Sequence, residues 1–164
     1  ALAAMEKAKK LSFDTTILST ELQGEAIDAA FWLAKKAIEA KQLLEGKGGK
    51  KICLISGGET TVTVRGNGKG GRNTELALAF ALKIAGMKGI TLLSAGTDGT
   101  DGPTDAAGAI VNGETIQKAT LLNLDPEAYL ANNNSYTFFS KTGELFITGP
   151  TGTNVMDLQI ILIE

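Results

Sequence analysis

The stretch TVRGNGKGGRNTEL, Thr63 to Leu76, sets Gly66, Gly68, Gly70 and Gly71 between a run of β-formers and a run of helix formers. Before it, TTVTVRG (Thr60–Gly66) alternates β-branched and polar residues, which predicts a strand with one exposed face. After it, NTELALAFALKIA (Asn73–Ala85) predicts a helix closed by Gly86, with Leu76, Phe80 and Ile84 on one stripe and alanines close-packed on a sheet. A glycine-rich turn that leads from strand to helix is the signature of α/β architecture, and the helix N-terminus it creates suits an anion.

The rest of the chain extends that pattern. TTILS (Thr15–Ser19), KICLISGG (Lys51–Gly58) and GITLLSAG (Gly89–Gly96) read as buried strands, and GAIV (Gly108–Val111) as a further one. Ile27, Phe31, Ala34 and Ile38 recur at helical spacing in Glu25–Leu44, and EGKGGK (Glu45–Lys50) ends that helix. ALAAMEKAKKL, at the start, reads as a helix already under way, with no capping residue before it, as if the chain were cut from a longer one. Gly113–Leu121 reads as a short helix. Asp125 and Pro126 supply an N-cap and a first helical residue for another. NNNSY (Asn132–Tyr136) reads as a turn, with Tyr136, Phe138, Phe139 and Trp32 as core or interface residues. ELFITG and NVMDLQIILI are two strands joined by PTGT, too short a connection for a parallel crossover. The expectation is one α/β domain over residues 1–164. Its sheet is mixed and mostly parallel, has helices on both faces and ends in an antiparallel C-terminal strand pair.

Composition narrows the chemistry. The chain has 164 residues, a net charge of −2 and no histidine. Without histidine there is no Ser-His-Asp or Cys-His catalysis and no ordinary zinc site. No basic field suggests nucleic acid, and no apolar run approaches the ~20 residues a membrane helix requires. The single Cys53 lies in an apolar run; it reads as a buried thiol and favours a cytoplasmic setting. Chemistry falls to carboxylates, Lys, Arg, hydroxyls and backbone N–H groups.

Three strand ends share one design: LISGGE, LLSAGTD and FITGPTGTN each run from apolar strand into glycine turn with a polar residue beyond. In open α/β sheets ligands sit outside the carboxyl ends of the strands. Glu59, Asp98 and Asn154 would then face one crevice. Gly66–Gly71 satisfies G-x-G-x-x-G, but the next strand ends without an acid at its tip to hold a ribose, which weakens a nicotinamide-dependent reading. A Walker loop fails too, because Arg72-Asn73 stands where Lys-Ser/Thr is required. The anion-binding logic survives in Gly66, Gly68, Lys69, Gly70, Gly71 and Asn73, with Arg72 as a planar fork for phosphate or carboxylate. Asp98 and Asp101, on GTDGTDGPTDAAG, are candidate metal ligands, although aspartates also cap turns there.

SGGETTVTVRGNGKGGRNTELAL, SAGTDGTDGPTDAAGAIV and TGPTGTNVMDL, in that order, resemble the MOFRL domain of glycerate 2-kinases, enzymes often taken for hydroxypyruvate reductases. The likeness covers most of Lys50–Glu164, and residues 1–49 resemble the segment that precedes that domain. It implies transfer of the ATP γ-phosphoryl group to the 2-hydroxyl of D-glycerate with Mg²⁺ or another divalent metal. It also implies a cleft shared with a larger N-terminal domain, without which this part would be inactive. Carried across, it points to Glu59, Arg72, Asp98 and Asn154 as catalytic residues. The alternatives are an NAD(P)-dependent hydroxypyruvate reductase and a non-catalytic docking or dimerisation domain, a homodimer among them.

Overall fold

The computed structural model describes residues 1–44 and 51–164, so the expected helix stop at Glu45–Lys50 lies outside the described residues. In chain order the elements are α1 (Leu2–Lys10), β1 (Asp14–Leu22), α2 (Ala26–Leu44), β2 (Ile52–Gly58), α3 (Arg72–Lys83), β3 (Ile90–Gly96) and β4 (Gly108–Asn112), then α4 (Thr115–Leu121), α5 (Pro126–Ala131), α6 (Ser135–Thr142), β5 (Leu145–Phe146) and β6 (Asp157–Ile163). One sheet of six strands runs in the order β1-β2-β6-β3-β4-β5. β1 and β2 pair in parallel, and every other pair is antiparallel. Followed across the sheet, β1, β2, β3 and β5 point one way, and β4 and β6 run against them. The mixed α/β class is therefore as expected.

The pairing of the last two strands is not. β5 binds β4, while β6 enters the middle of the sheet between β2 and β3. A short connection forbids a parallel crossover, but it does not oblige two strands to be neighbours. β6 reads DLQIILI, and its alternate residues Asp157, Gln159, Ile161 and Ile163 are buried. A near-continuous apolar strand suits the middle of a sheet, where both faces are covered and neither edge is left open.

TTVTVRG forms no strand either. Thr61 makes one isolated parallel bridge to Glu25, and the remainder is loop. NNNSY makes the expected turn at Asn132 and Asn133, and its last two residues begin α6, with Asn134 at the N-cap. Phe138 and Phe139 on α6 are fully buried, and Tyr129 and Phe138 meet edge to face.

One face of the sheet carries α2 to α6. Leu76, Phe80 and Ile84 of the α3 segment are each 0% exposed, as their spacing predicts. The buried stripe of α2 is rotated from the expected one: Ala26, Ala29, Ala30, Leu33, Ala34 and Ala37 face inward. Phe31 is exposed, with the Lys83 ammonium 4.1 Å from its ring centre. Small residues win that face because α2 packs on the alanines of α3. On the other face α1 lies over β1 and β2, where Ala8 meets Cys53 and Ile55. No helix among the described residues is long and apolar enough to cross a membrane.

Candidate active site at the strand ends

The helix α3 begins at Arg72, whose guanidinium is, among the described residues, the one cation of the site bonded to carboxylates. Arg72 Nε donates to Asp157 Oδ2 at 2.6 Å and Nη2 donates to Asp157 Oδ1 at 2.9 Å. This is the two-bond fork that guanidinium and carboxylate make best. Nη2 also stands 3.3 Å from Glu59 Oε1. The bond to Asp157 and the nearby charges raise the Arg72 pKa, so it is always cationic. Nη1, with two N–H groups, makes no hydrogen bond among the described residues and is the edge available to a ligand.

Asp157 was not singled out in the sequence. The signal was there: a lone carboxylate opening a strand as apolar as DLQIILI requires a cationic partner if it is buried, and it is. Pairing in the sheet puts Asp157 between Gly58 of β2 and Gly96 of β3, two residues without side chains, which leaves room for Arg72 above it.

Asp98 follows β3 and is half-buried. Thr100 donates to Asp98 Oδ1 through its N–H at 3.0 Å and its hydroxyl at 3.1 Å, and Asn154 Nδ2 lies 3.4 Å from Oδ2. The Thr100 N–H is the main cause that holds the Asp98 carboxyl below its ordinary value, and the charge of Arg72 adds to it. Glu59, Arg72, Asp98 and Asn154 are thus brought to one end of the sheet. A cavity of about 580 Å³ lies beside Glu59 and Arg72, lined by Val64, Gly68, Gly71 and Pro103. Another, of about 610 Å³, runs past Asp157 along Leu2, Thr97, Val155 and Met156. Both have the size of small-ligand pockets.

The glycine loop does something other than cradle phosphate. From Arg65 to Lys69 its N–H groups are already engaged by the three consecutive asparagines that precede α6. Arg65 and Gly66 donate to Asn133 Oδ1, Asn67 to Asn132 Oδ1, Gly68 to the Asn132 carbonyl and Lys69 to Asn134 Oδ1. None of the four glycines needs a positive φ. They are required for close approach: a Cβ at Gly68 would run into Asn132 and Asn134, and one at Gly71 into Asp101. Lys69 turns its ammonium onto the Tyr136 ring, 4.2 Å from its centre. These contacts correct the expectation that Gly66, Gly68 and Lys69 offer N–H groups to phosphate, and they take away the pyrophosphate seat of a nicotinamide cofactor. Asn133 is the hub, since its Nδ2 also donates to Glu75 Oε2 at 2.9 Å. Asn133→Ala should cost about 1–2 kcal/mol. Hydrogen exchange should show the amides of Arg65 and Gly66 losing protection before those of α3.

The α3 N-terminus is likewise taken. Asp101 Oδ1 accepts from the Asn73 N–H, and Oδ2 accepts from the N–H and the hydroxyl of Thr74. Asp101 is 1% exposed and acts as a cap supplied from another loop. With both oxygens engaged it is no metal ligand, which corrects that expectation. The Asn73 side chain turns inward to Ser94 rather than toward the crevice. Among the described residues no three His, Cys, Asp or Glu side chains converge on a point.

Residues 52–157 match the model of the MOFRL family. The chain is 51% identical over 160 residues to the D-glycerate 2-kinase of Thermotoga maritima and 42% identical over 163 residues to the glycerate 2-kinase of Pyrococcus horikoshii. In both cases 98% of this chain is covered, against 38% and 36% of the relative, so the chain spans well under half their length. The crystal structure of the Thermotoga maritima glycerate kinase superposes with a TM-score of 0.92 over 98% of this chain and 39% of its own.

Proposed function

The chain belongs to the MOFRL family, and on that premise we propose that it is the C-terminal domain of an ATP-dependent, cytoplasmic glycerate kinase that phosphorylates the 2-hydroxyl of D-glycerate. It works as one wall of a cleft that a larger N-terminal domain of the same chain completes, and it is inactive alone. The observation that carries this reading is Arg72. Asp157 holds it in a fixed fork at the strand ends while Nη1 stays open.

Phosphoryl transfer depends on positioning and on charge stabilisation rather than on covalent help from the protein. Arg72 Nη1 would grip the glycerate carboxylate. Asp98, half-buried and held in its charged form by Thr100, would accept a hydrogen bond from the attacking hydroxyl and aim it. Asn154 steadies Asp98, and Glu59 fixes the far side of the guanidinium. Four carboxylates, Glu59, Asp98, Asp101 and Asp157, act on one guanidinium, a balance hostile to a polyphosphate and tolerable for a small hydroxy acid. The acceptor therefore belongs to this domain, and the triphosphate is handled mainly across the cleft.

The test is a chimera in which this chain replaces the matching segment of the Thermotoga maritima kinase. It should transfer phosphate from ATP to D-glycerate. Arg72→Ala should lower kcat/KM for glycerate by about 100-fold or more, as loss of a charge-stabilising group does. A folded chimera without activity would refute the domain assignment, and full activity in the variant would refute the role of Arg72.

A further inference from the structure

Across the three central strands, the residues that face α3 form successive rows. Gly58, Asp157 and Gly96 make the first, Ser56, Gln159 and Ser94 the second, and Leu54, Ile161 and Leu92 the third. The first row carries Arg72, and the third is hydrophobic core. The second row is polar yet sealed: Ser56, Gln159 and Ser94 are 1% exposed or less. Asn73 of α3, equally buried, reaches into it, and its Oδ1 accepts from Ser94 Oγ at 2.7 Å. Asn73 Nδ2 lies on the Asp101 side of the helix start and favours that carboxylate's charge, but it makes no hydrogen bond of good geometry to a described residue.

Three atoms here have no partner among the described residues: Ser56 Oγ, Asn73 Nδ2 and Gln159 Oε1. A single unpaired buried polar atom is already costly, and three in one row of an otherwise apolar sheet call for a common partner. Their chemistry is complementary to one small molecule, since the amide donates, the carbonyl oxygen accepts and the hydroxyl can do either. Internal waters typically make about three hydrogen bonds to such groups.

We propose that Ser56, Asn73 and Gln159 form a built site for one internal water, which accepts from Asn73 Nδ2 and the Ser56 hydroxyl and donates to Gln159 Oε1. The water joins β2, β6 and α3 one residue from Arg72 and two from Asp157. It makes Asn73 a positioning residue, which fixes the first turn of α3 against the sheet. This site stands whether or not the kinase reading does.

The test is nuclear magnetic resonance on the isotope-labelled chain. The Asn73 side-chain amide should show a cross-peak to a long-lived water. Ser56→Val, which puts methyl groups where the water sits, should remove that peak while the backbone spectrum keeps its dispersion. Absence of the peak in the wild-type chain, or its survival in a folded Ser56→Val, overturns the proposal. Should Ser56→Val fail to fold, a high-resolution crystal structure of the wild-type chain decides alone. A water within about 3.2 Å of all three atoms is expected. A direct bond from Asn73 Nδ2 to Gln159 Oε1 overturns it.

Discussion

Asp157→Ala will unfold the chain at a markedly lower temperature, by about 6–12 °C, the shift expected for a loss of about 3 kcal/mol in a domain of this size. The side chain of Asp157 is fully buried and takes both bonds of the Arg72 fork. Its removal leaves the guanidinium half-buried and opposed only by Glu59, which is largely in water. Arg72 is 30% exposed and can be partly rehydrated, which keeps the loss at the low end of the range for a broken buried pair. The double variant Arg72→Ala, Asp157→Ala should recover part of the loss, because no charge is then stranded. Thermal denaturation of the three variants checks this. Additive losses would mean that the pair is not coupled.

Asp101→Ala should cost a similar amount, about 3 kcal/mol, through a different route. Three donors, the N–H groups of Asn73 and Thr74 and the Thr74 hydroxyl, lose their acceptor in a place water does not reach. Urea unfolding measures it, and a loss under 1 kcal/mol would show that another group takes over the cap. Acidification reports on the same carboxylate. Burial is the largest influence and holds its pKa above the ordinary value of 3.8, outweighing the hydrogen bonds that pull it down. The folded chain then takes up this proton before the unfolded chain does. Stability from this group rises as pH falls through the folded-state pKa and levels off below 3.8. Asp101→Asn cannot respond, so the stability gap between wild type and Asp101→Asn should widen on going from about pH 7 to pH 4. A gap that narrows would mean that the hydrogen bonds outweigh burial.

Much of this was legible in the residues. The buried strands at Ile52, Ile90 and Asp157, the helix α3 with its Leu76–Phe80–Ile84 stripe, and the Asp125–Pro126 start of α5 follow from local pattern, and each is present. Glu59, Asp98 and Asn154 meet at one end of the sheet because each follows or precedes a strand terminus, and Arg72 joins them as the first residue of α3. What local pattern cannot give is the partner. TTVTVRG has the alternation of a strand, but pairs with asparagine side chains rather than with a neighbouring strand. The glycines looked like a phosphate loop because close approach and anion binding select the same residue. Asp101 looked like a metal ligand because a carboxylate beside a helix N-terminus is satisfied equally well by backbone N–H groups. In each case a long-range contact, invisible to spacing, decided between readings of equal local merit.

The place of β6 has a consequence for how the chain reaches its native state. It sits between β2 and β3 but follows β2 only after β3, β4, β5 and four helices. Until it docks, the sheet exists as two separate halves, β1-β2 and β3-β4-β5, each with an open inner edge of unpaired N–H and C=O groups. Loop-closure entropy makes such a distant pairing slow. During biosynthesis both edges are exposed while everything upstream of β6 has already emerged. Open edges of this kind recruit strands from other chains. The step most vulnerable to aggregation is therefore the arrival of DLQIILI, and a chain truncated before Asp157 lacks the one strand that joins its halves.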